Sequence, residues 1–249
     1  MASRADAVPI GAPAASRAAP TAPSLGGAVR AALGDFFYHS WRLLPANVVW
    51  AVVAMALAAA AVVVPIAIVL VPLLAIPTAG VFRVTTRIVR GSSVSFWDAV
   101  DAWRSDVART LAVGTGVVLA LLVLGTNLVI GLGGDSPLGW AIATMAAWGL
   151  AVLWLVAWTA WPILEDPERA RTPLRLRLRL AALLVLAHPI RIGLLGVGLA
   201  AFLVLSTVAI VALVTVSVSF GALVTTRYVL PAADRLEAQL DGVAPPDRT

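Results

Sequence analysis

The stretch Leu43–Phe82, LLPANVVWAVVAMALAAAAVVVPIAIVLVPLLAIPTAGVF, decides the class of this protein: 40 residues pass without one charge. A helix needs roughly 20 apolar residues to cross a hydrocarbon core about 30 Å thick. As a single helix this stretch would run to about 60 Å, beyond what tilting absorbs. Pro65 and Pro72 supply a break, because proline removes a backbone donor and clashes with the preceding turn. The stretch therefore reads as a tight hairpin of two spans.

Three more uncharged stretches follow, Thr110–Gly134, Ser136–Leu164 and Ile192–Thr226. The first two have the length of one span each. The last, at 35 residues, reads as a second long hairpin whose reversal is expected near Ser206-Thr207 or shortly after. The fold expected is all-α: a polytopic transmembrane helical bundle, six spans arranged as three hairpins, with amphipathic helices on the cytoplasmic side. The arginines test this count independently. With six spans and the N-terminus inside, all 18 basic residues fall in the cytoplasmic segments, as the positive-inside rule requires. A four-span reading splits them 11 against 7. The expected location is the bacterial cytoplasmic (inner) membrane, multi-pass, with both termini cytoplasmic and only Asp135 charged on the outer face.

Composition agrees. The chain has 249 residues, 61% hydrophobic and 12% charged, where soluble domains carry about 25% charged residues. Cysteine is absent, which excludes disulfides, thiolate metal sites and cysteine nucleophiles. Every basic residue is arginine, so Schiff-base lysines and a phosphate-loop lysine are excluded as well. The basic balance fits topology-setting arginines close to the anionic headgroups of the bilayer. Nucleic acid is not an expected partner, since no basic fold with interleaved aromatics is visible.

Residues 1–24 are rich in Ala, Pro and Ser, lack the apolar core of a signal peptide, and are expected to form a disordered cytoplasmic tail. The membrane domain is expected over 25–240, with a second disordered tail over 241–249. A lead-in helix is expected from about Ala28 to Trp41. Ser95 and Asp98 have the spacing of a capping box, opening an amphipathic helix whose stripe is Phe96, Val100, Trp103 and Val107. Leu174–Leu180 alternates strictly between Leu and Arg, which is strand periodicity. Thr172-Pro173 is nevertheless a helix start, and an isolated strand beside lipid would leave its edges unsatisfied. Helix is expected, with Arg171, Arg175 and Arg179 on one face snorkelling to headgroups. Val84-Thr85-Thr86-Arg87-Ile88-Val89 returns as Val224-Thr225-Thr226-Arg227-Tyr228-Val229. This local similarity is open to two readings, internal duplication or chance in a chain rich in Val, Thr and Arg.

Three segments, taken in order and spacing, resemble a known family. Asp35 to Trp50 has the aromatic lead-in and the Asn-containing start of a first span. Leu74 to Phe82, followed by Arg87 to Gly91 and by Ser95-Phe96-Trp97-Asp98 with Trp103, has the look of a second span and its amphipathic sequel. Ala187-His188-Pro189-Ile190-Arg191 resembles the approach to a fifth span. Together they are similar to the YesL-like family of bacterial integral membrane proteins, a domain of unknown function. The resemblance implies a polytopic membrane protein without assigned catalytic residues. It also implies an accessory role beside carbohydrate ABC-transporter components.

Catalytic chemistry has little to work with. The uncharged stretches hold no Asp, Glu, His or Arg. His39 and His188 lie at different span approaches, too few for a metal site. His188 reads as a helix-boundary residue, and Asp35 and His39 as an i, i+4 helix pair. No catalytic residue, cofactor or metal ligand is assigned. The candidates facing an anion or a partner are Arg83, Arg87 and Arg90, one stripe at i, i+4 and i+7, and Arg227 in the matching local sequence. The competing reading of these arginines is snorkelling plus pairing with acids such as Asp98, Asp101 or Glu165. Asn47 and Asn127 are the candidate intramembrane polar residues, more naturally helix bridges than solute ligands. Trp140, Trp148, Trp154, Trp158 and Trp161 make the fourth span aromatic, suited to interfaces, to packing or to a sugar-stacking surface. The expected function is a non-enzymatic accessory of a membrane transport system, with an ABC-transporter permease or a second copy of the chain as partner. The alternative is a small autonomous transporter or channel for a neutral solute.

Overall fold

The computed structural model describes residues 24–134, 136–209 and 216–242. Among these residues the chain is helical throughout, with no strand. The α-helices are α1 (Leu25–Val63), α2 (Ala75–Val89), α3 (Trp97–Ser105), α4 (Val107–Leu132), α5 (Pro137–Leu164), α6 (Leu174–Ala187), α7 (Pro189–Val208) and α8 (Val218–Leu240). Short 3-10 segments at Pro65–Leu74 and Pro167–Arg169 join α1 to α2 and follow α5. Five segments are long and apolar enough to cross a membrane: α1, Pro65–Val89, α4, α5 and α7. The tails through residue 23 and from 243, the turn at Asp135 and positions 210–215 lie outside the described residues. The helix α7 runs through Ser206 and Thr207 and ends at Val208, directly after that pair, and the residues that follow from 210 lie outside the described ones.

The first long apolar stretch breaks where proline dictates. The helix α1 ends at Val63, Val64 is extended, and Pro65 opens the 3-10 segment that contains Pro72. The lead-in helix expected over 28–41 is not separate from span one. Both belong to the 39-residue α1, which starts under a Ser24 cap and carries Pro45 inside it. Leu43, Ala46, Asn47 and Ala51 are buried along one face across that proline, and this shared packing holds the two halves in one helix.

The bundle is centred on α2 and α8. Val81, Phe82 and Val84 of α2 and Leu223, Tyr228, Val229 and Leu230 of α8 are at most 1% exposed. Their matching sequences meet directly: the Thr85 and Thr226 hydroxyls lie 3.1 Å apart in a hydrogen bond. The pair α4–α5 lies outermost, with 6% and 11% of their most apolar windows buried. Gly131 lets these two helices close up, because a Cβ there would fall 2.6 Å from the Gly139 carbonyl oxygen.

The alternating segment is helical, as expected. In α6 the buried positions Arg177, Leu180, Ala181, Leu184 and Val185 repeat with helical spacing, and Arg171, Arg175 and Arg179 stay exposed on the far face. Arg177 departs from the snorkelling expected of the segment and turns inward, 2% exposed. His188 separates α6 from α7, the boundary role read from Pro189. The helix α3 has one half of the expected capping box: Asp98 accepts from the Ser95 N–H at 2.8 Å. It stops at Ser105, so Val107 opens α4 and does not extend the α3 stripe. Ion pairs join α1 to α8, the end of α2 to the α5–α6 loop and to α8, and α4 to the same loop. The four arginine-bearing segments thereby gather at one end of the bundle.

Candidate functional site

After α5 the chain reads Glu165-Asp166-Pro167-Glu168-Arg169, the densest charge in the molecule. Pro167 presets the 3-10 turn, and Asp166 caps it by accepting from the Glu168 N–H at 3.2 Å. The loop is only half at the surface: Pro167 and Glu168 are exposed, but its other charges are not. Glu165, Asp166 and Arg169 are 2%, 1% and 6% exposed, wedged between the ends of α2, α4, α6 and α8.

Two arginines clasp the loop to α8. Arg90 bonds both oxygens of Asp166, at 3.2 and 2.6 Å, and both of Asp234, at 2.7 and 3.0 Å. It also reaches Glu168 at 3.2 Å. Arg169 pairs with Asp166, with Asp234 at 2.6 Å and in bidentate fashion with Glu237. Such fork-to-fork contacts are the strong form of the ion pair. At the next level Arg83 meets Glu165 at 2.7 Å, and Arg109 bridges Asp106 at 2.9 Å to Glu165 at 3.8 Å. Arg177 donates to the carbonyls of Leu164, Ala170 and Thr172 at 2.7, 2.6 and 2.9 Å. It thus supplies charge and donors to the C-terminal end of α5, where both are favourable.

The titration behaviour follows from this wiring. Burial alone would push Asp234 up, but its hydrogen bonds to Arg90 and Arg169 hold it below the ordinary carboxylate range. Burial would likewise lower Arg90, yet Asp234 and Asp166 hold it above its usual value. Glu165 goes the other way: burial pushes its carboxyl up and outweighs Arg83. Carboxylate oxygens of Asp166, Glu168 and Asp234 approach within 4.8 Å of one another, close enough for a metal ion. The Arg90 guanidinium already bonds all three, so the positive charge there is the protein's own.

All four candidate arginines are engaged inside the molecule. Arg83 pairs with Glu165, Arg87 with Asp98 at 2.7 Å, Arg90 with Asp166 and Asp234, and Arg227 with Asp35. The stripe at i, i+4 and i+7 faces acids rather than an open vestibule. Asp101 is exposed and takes no part in these ion pairs. Asp35 is claimed by Arg227 and His39 lies 3.5 Å from Arg42, so the expected Asp35–His39 pair does not form.

The two asparagines part company. Asn47 is fully buried, and its Oδ1 accepts from the Ser219 N–H at 2.8 Å, beside a π-helical turn at positions 216–217. Ser219 returns the tie by donating to the Leu43 carbonyl at 3.1 Å. Asn127 is exposed on α4, and among the described residues it bridges no helices. Trp154, Trp158 and Trp161 line a cavity of about 340 Å3 with Trp50 and Phe82, whereas Trp140 and Trp148 face outward.

Comparison with protein-family models, with curated proteins and with solved structures gives no match. The YesL-like resemblance therefore stands on the segments quoted above.

Asp166, Arg169, Asp234 and Glu237 did not stand out as functional residues in the sequence. The signal available was density: five residues in succession, four of them charged, directly after an apolar span in a chain only 12% charged. Nothing in the local pattern of Asp234 or Glu237 marks them. They lie one turn apart on α8, and that spacing belongs to any solvated helix face as well.

Proposed function

We propose that this protein is a non-enzymatic accessory subunit of a membrane transport system and acts by packing its outer helices against a partner's spans. The observation that carries this reading is the α4–α5 pair. Few residues along its most apolar lengths are fully buried within the chain, and Thr126 and Asn127 lie exposed on α4. An amide at membrane depth gains from a partner helix what lipid does not offer. The arginine-rich end, the other place where a partner could dock, has its strongest charges already matched internally. We read the chain as six spans with both termini in the cytoplasm of a bacterium, the sixth ending in α8. The gathering of arginine-bearing segments at one end supports that topology. Carbohydrate uptake is the transport process that the YesL-like resemblance implies.

The test is cross-linking in native membranes, mild-detergent purification and mass spectrometry of what accompanies the chain. A stoichiometric transporter permease, depleted severalfold by Asn127→Leu, is the expected outcome. A lone, monodisperse protein would overturn the reading.

A further inference from the structure

The cavity of about 340 Å3 is lined by apolar lengths of α1, α2, α4, α5, α7 and α8, and runs from Leu121 and Leu203 to Phe82 and Trp161, the turn that precedes the charged loop. Its wall is built from rings. Phe82 stacks on Trp161 with centroids 6.2 Å apart and meets Trp158 edge-on at 5.9 Å, with Trp154 against Trp158 at 5.5 Å. The polar groups of Trp50, Thr78 and Trp154 on its wall are already bonded within the protein, and the rest of the lining is aliphatic or aromatic. The Thr78 hydroxyl accepts from Trp50 Nε1 at 2.9 Å and donates to the Leu74 carbonyl at 2.7 Å. Trp154 Nε1 donates to the Gly196 carbonyl at 3.1 Å. A water held here would need two to four polar partners, and a sugar would bury most of its hydroxyls unpaired against this apolar wall. A hydrocarbon chain meets neither objection, and it gains dispersion contacts that an empty void forfeits.

Access is lateral. Leu121, 45% exposed, forms part of the cavity wall and also part of a shallow outward groove along α4 with Gly125, Thr126 and Val129. We infer that the cavity is a binding site for one hydrocarbon chain of a bilayer lipid, entering beside Leu121. The entrance lies on the α4 face that carries the accessory reading, but the cavity itself is built within the chain and needs no partner, and it gives the tryptophans of α5 a ligand class different from sugar.

The experiment uses the full chain in detergent with trace phosphatidylglycerol carrying a diazirine midway along one acyl chain. Irradiation and peptide mapping then locate the adducts. Adducts on Trp154, Ala157 and Trp158 are expected to saturate with probe. Ala157→Phe or Val117→Phe, which fill the cavity from opposite walls, should cut them at least tenfold. Adducts at outward-facing Val129 and Ile130 should stay unchanged. Competition by unlabelled diacyl phospholipid or by a polyprenyl phosphate, run separately, tells which lipid supplies the chain. Labelling confined to outward residues would overturn the site, as would wall labelling that neither competitor reduces or that survives in both filled variants. If neither variant is monodisperse, saturation and competition on the unsubstituted chain decide.

Discussion

Single residues set how closely the helices approach. A Cβ built on Gly80 collides with the Trp103 indole, so α3 lies on α2 only because position 80 has no side chain. Gly80→Ala should destabilise the protein by about 1–3 kcal/mol through overpacking, and Trp103→Leu in the same chain should recover most of it. Thermal denaturation in detergent reads both. The asparagines make a second residue-scale contrast. Asn47→Leu leaves the buried Ser219 N–H without its acceptor and should cost about 1–2 kcal/mol. Asn127→Leu, on an exposed position, should change monomer stability by less than about 0.5 kcal/mol. Equal effects would mean that Asn47 does not carry the α1–α8 tie. Both residues read alike in the sequence, as lone amides in apolar runs. Only the neighbouring helix distinguishes them.

Elements are held in register by the clasp of Arg90 and Arg169 on Asp166 and Asp234. Arg169 is 6% exposed and joins the α5–α6 loop to α8 through Asp234 and Glu237, while also pairing with Asp166 within the loop. Arg169→Leu takes this partner from Glu237 and leaves Asp166 and Asp234 to Arg90 alone, and should cost about 3–5 kcal/mol, read as a lowered melting temperature and earlier proteolysis in the loop. Asp234 is held below its ordinary value, so its charged form favours the folded state. Its contribution is present at neutral pH and is lost as the pH falls through its folded value. Asp234→Asn should therefore lower stability at pH 7, and the gap to the unsubstituted chain should close only below the ordinary carboxylate range. Glu165, pushed up by burial, acts with the opposite sign, its share improving as the pH falls toward its folded value. A gap that already closes near pH 6 would show that Asp234 is not the group held down. At this scale the alternating Leu-Arg segment was legible as helix, because Thr172-Pro173 and the demands of a lipid surface outweigh period-two patterning. The inward turn of Arg177 was not legible, since three carbonyls from the end of α5 and the loop after it attract it.

For the molecule as a whole, topology is the property to test. The chain has no cysteine background. Ser136→Cys in intact cells should react with an impermeant thiol reagent, and Ser93→Cys should react only after the membrane is opened. The reverse pattern would invert the protein. Hydropathy and charge are properties of a segment taken alone, and bilayer thickness converts them directly into length and sidedness. For that reason the all-helical class, the proline break at Pro65 and the segregation of arginine from the apolar runs could be read from the chain. Which acid meets which arginine is a different kind of fact. Arg90 finds Asp166 at a separation of 76 residues and Asp234 at 144, and Asn47 finds Ser219 at 172. Those partners are chosen by the packing of α2, α5 and α8 against one another. A buried charge must be matched by whatever group the neighbouring helix brings within reach, and only the tertiary structure decides which group that is.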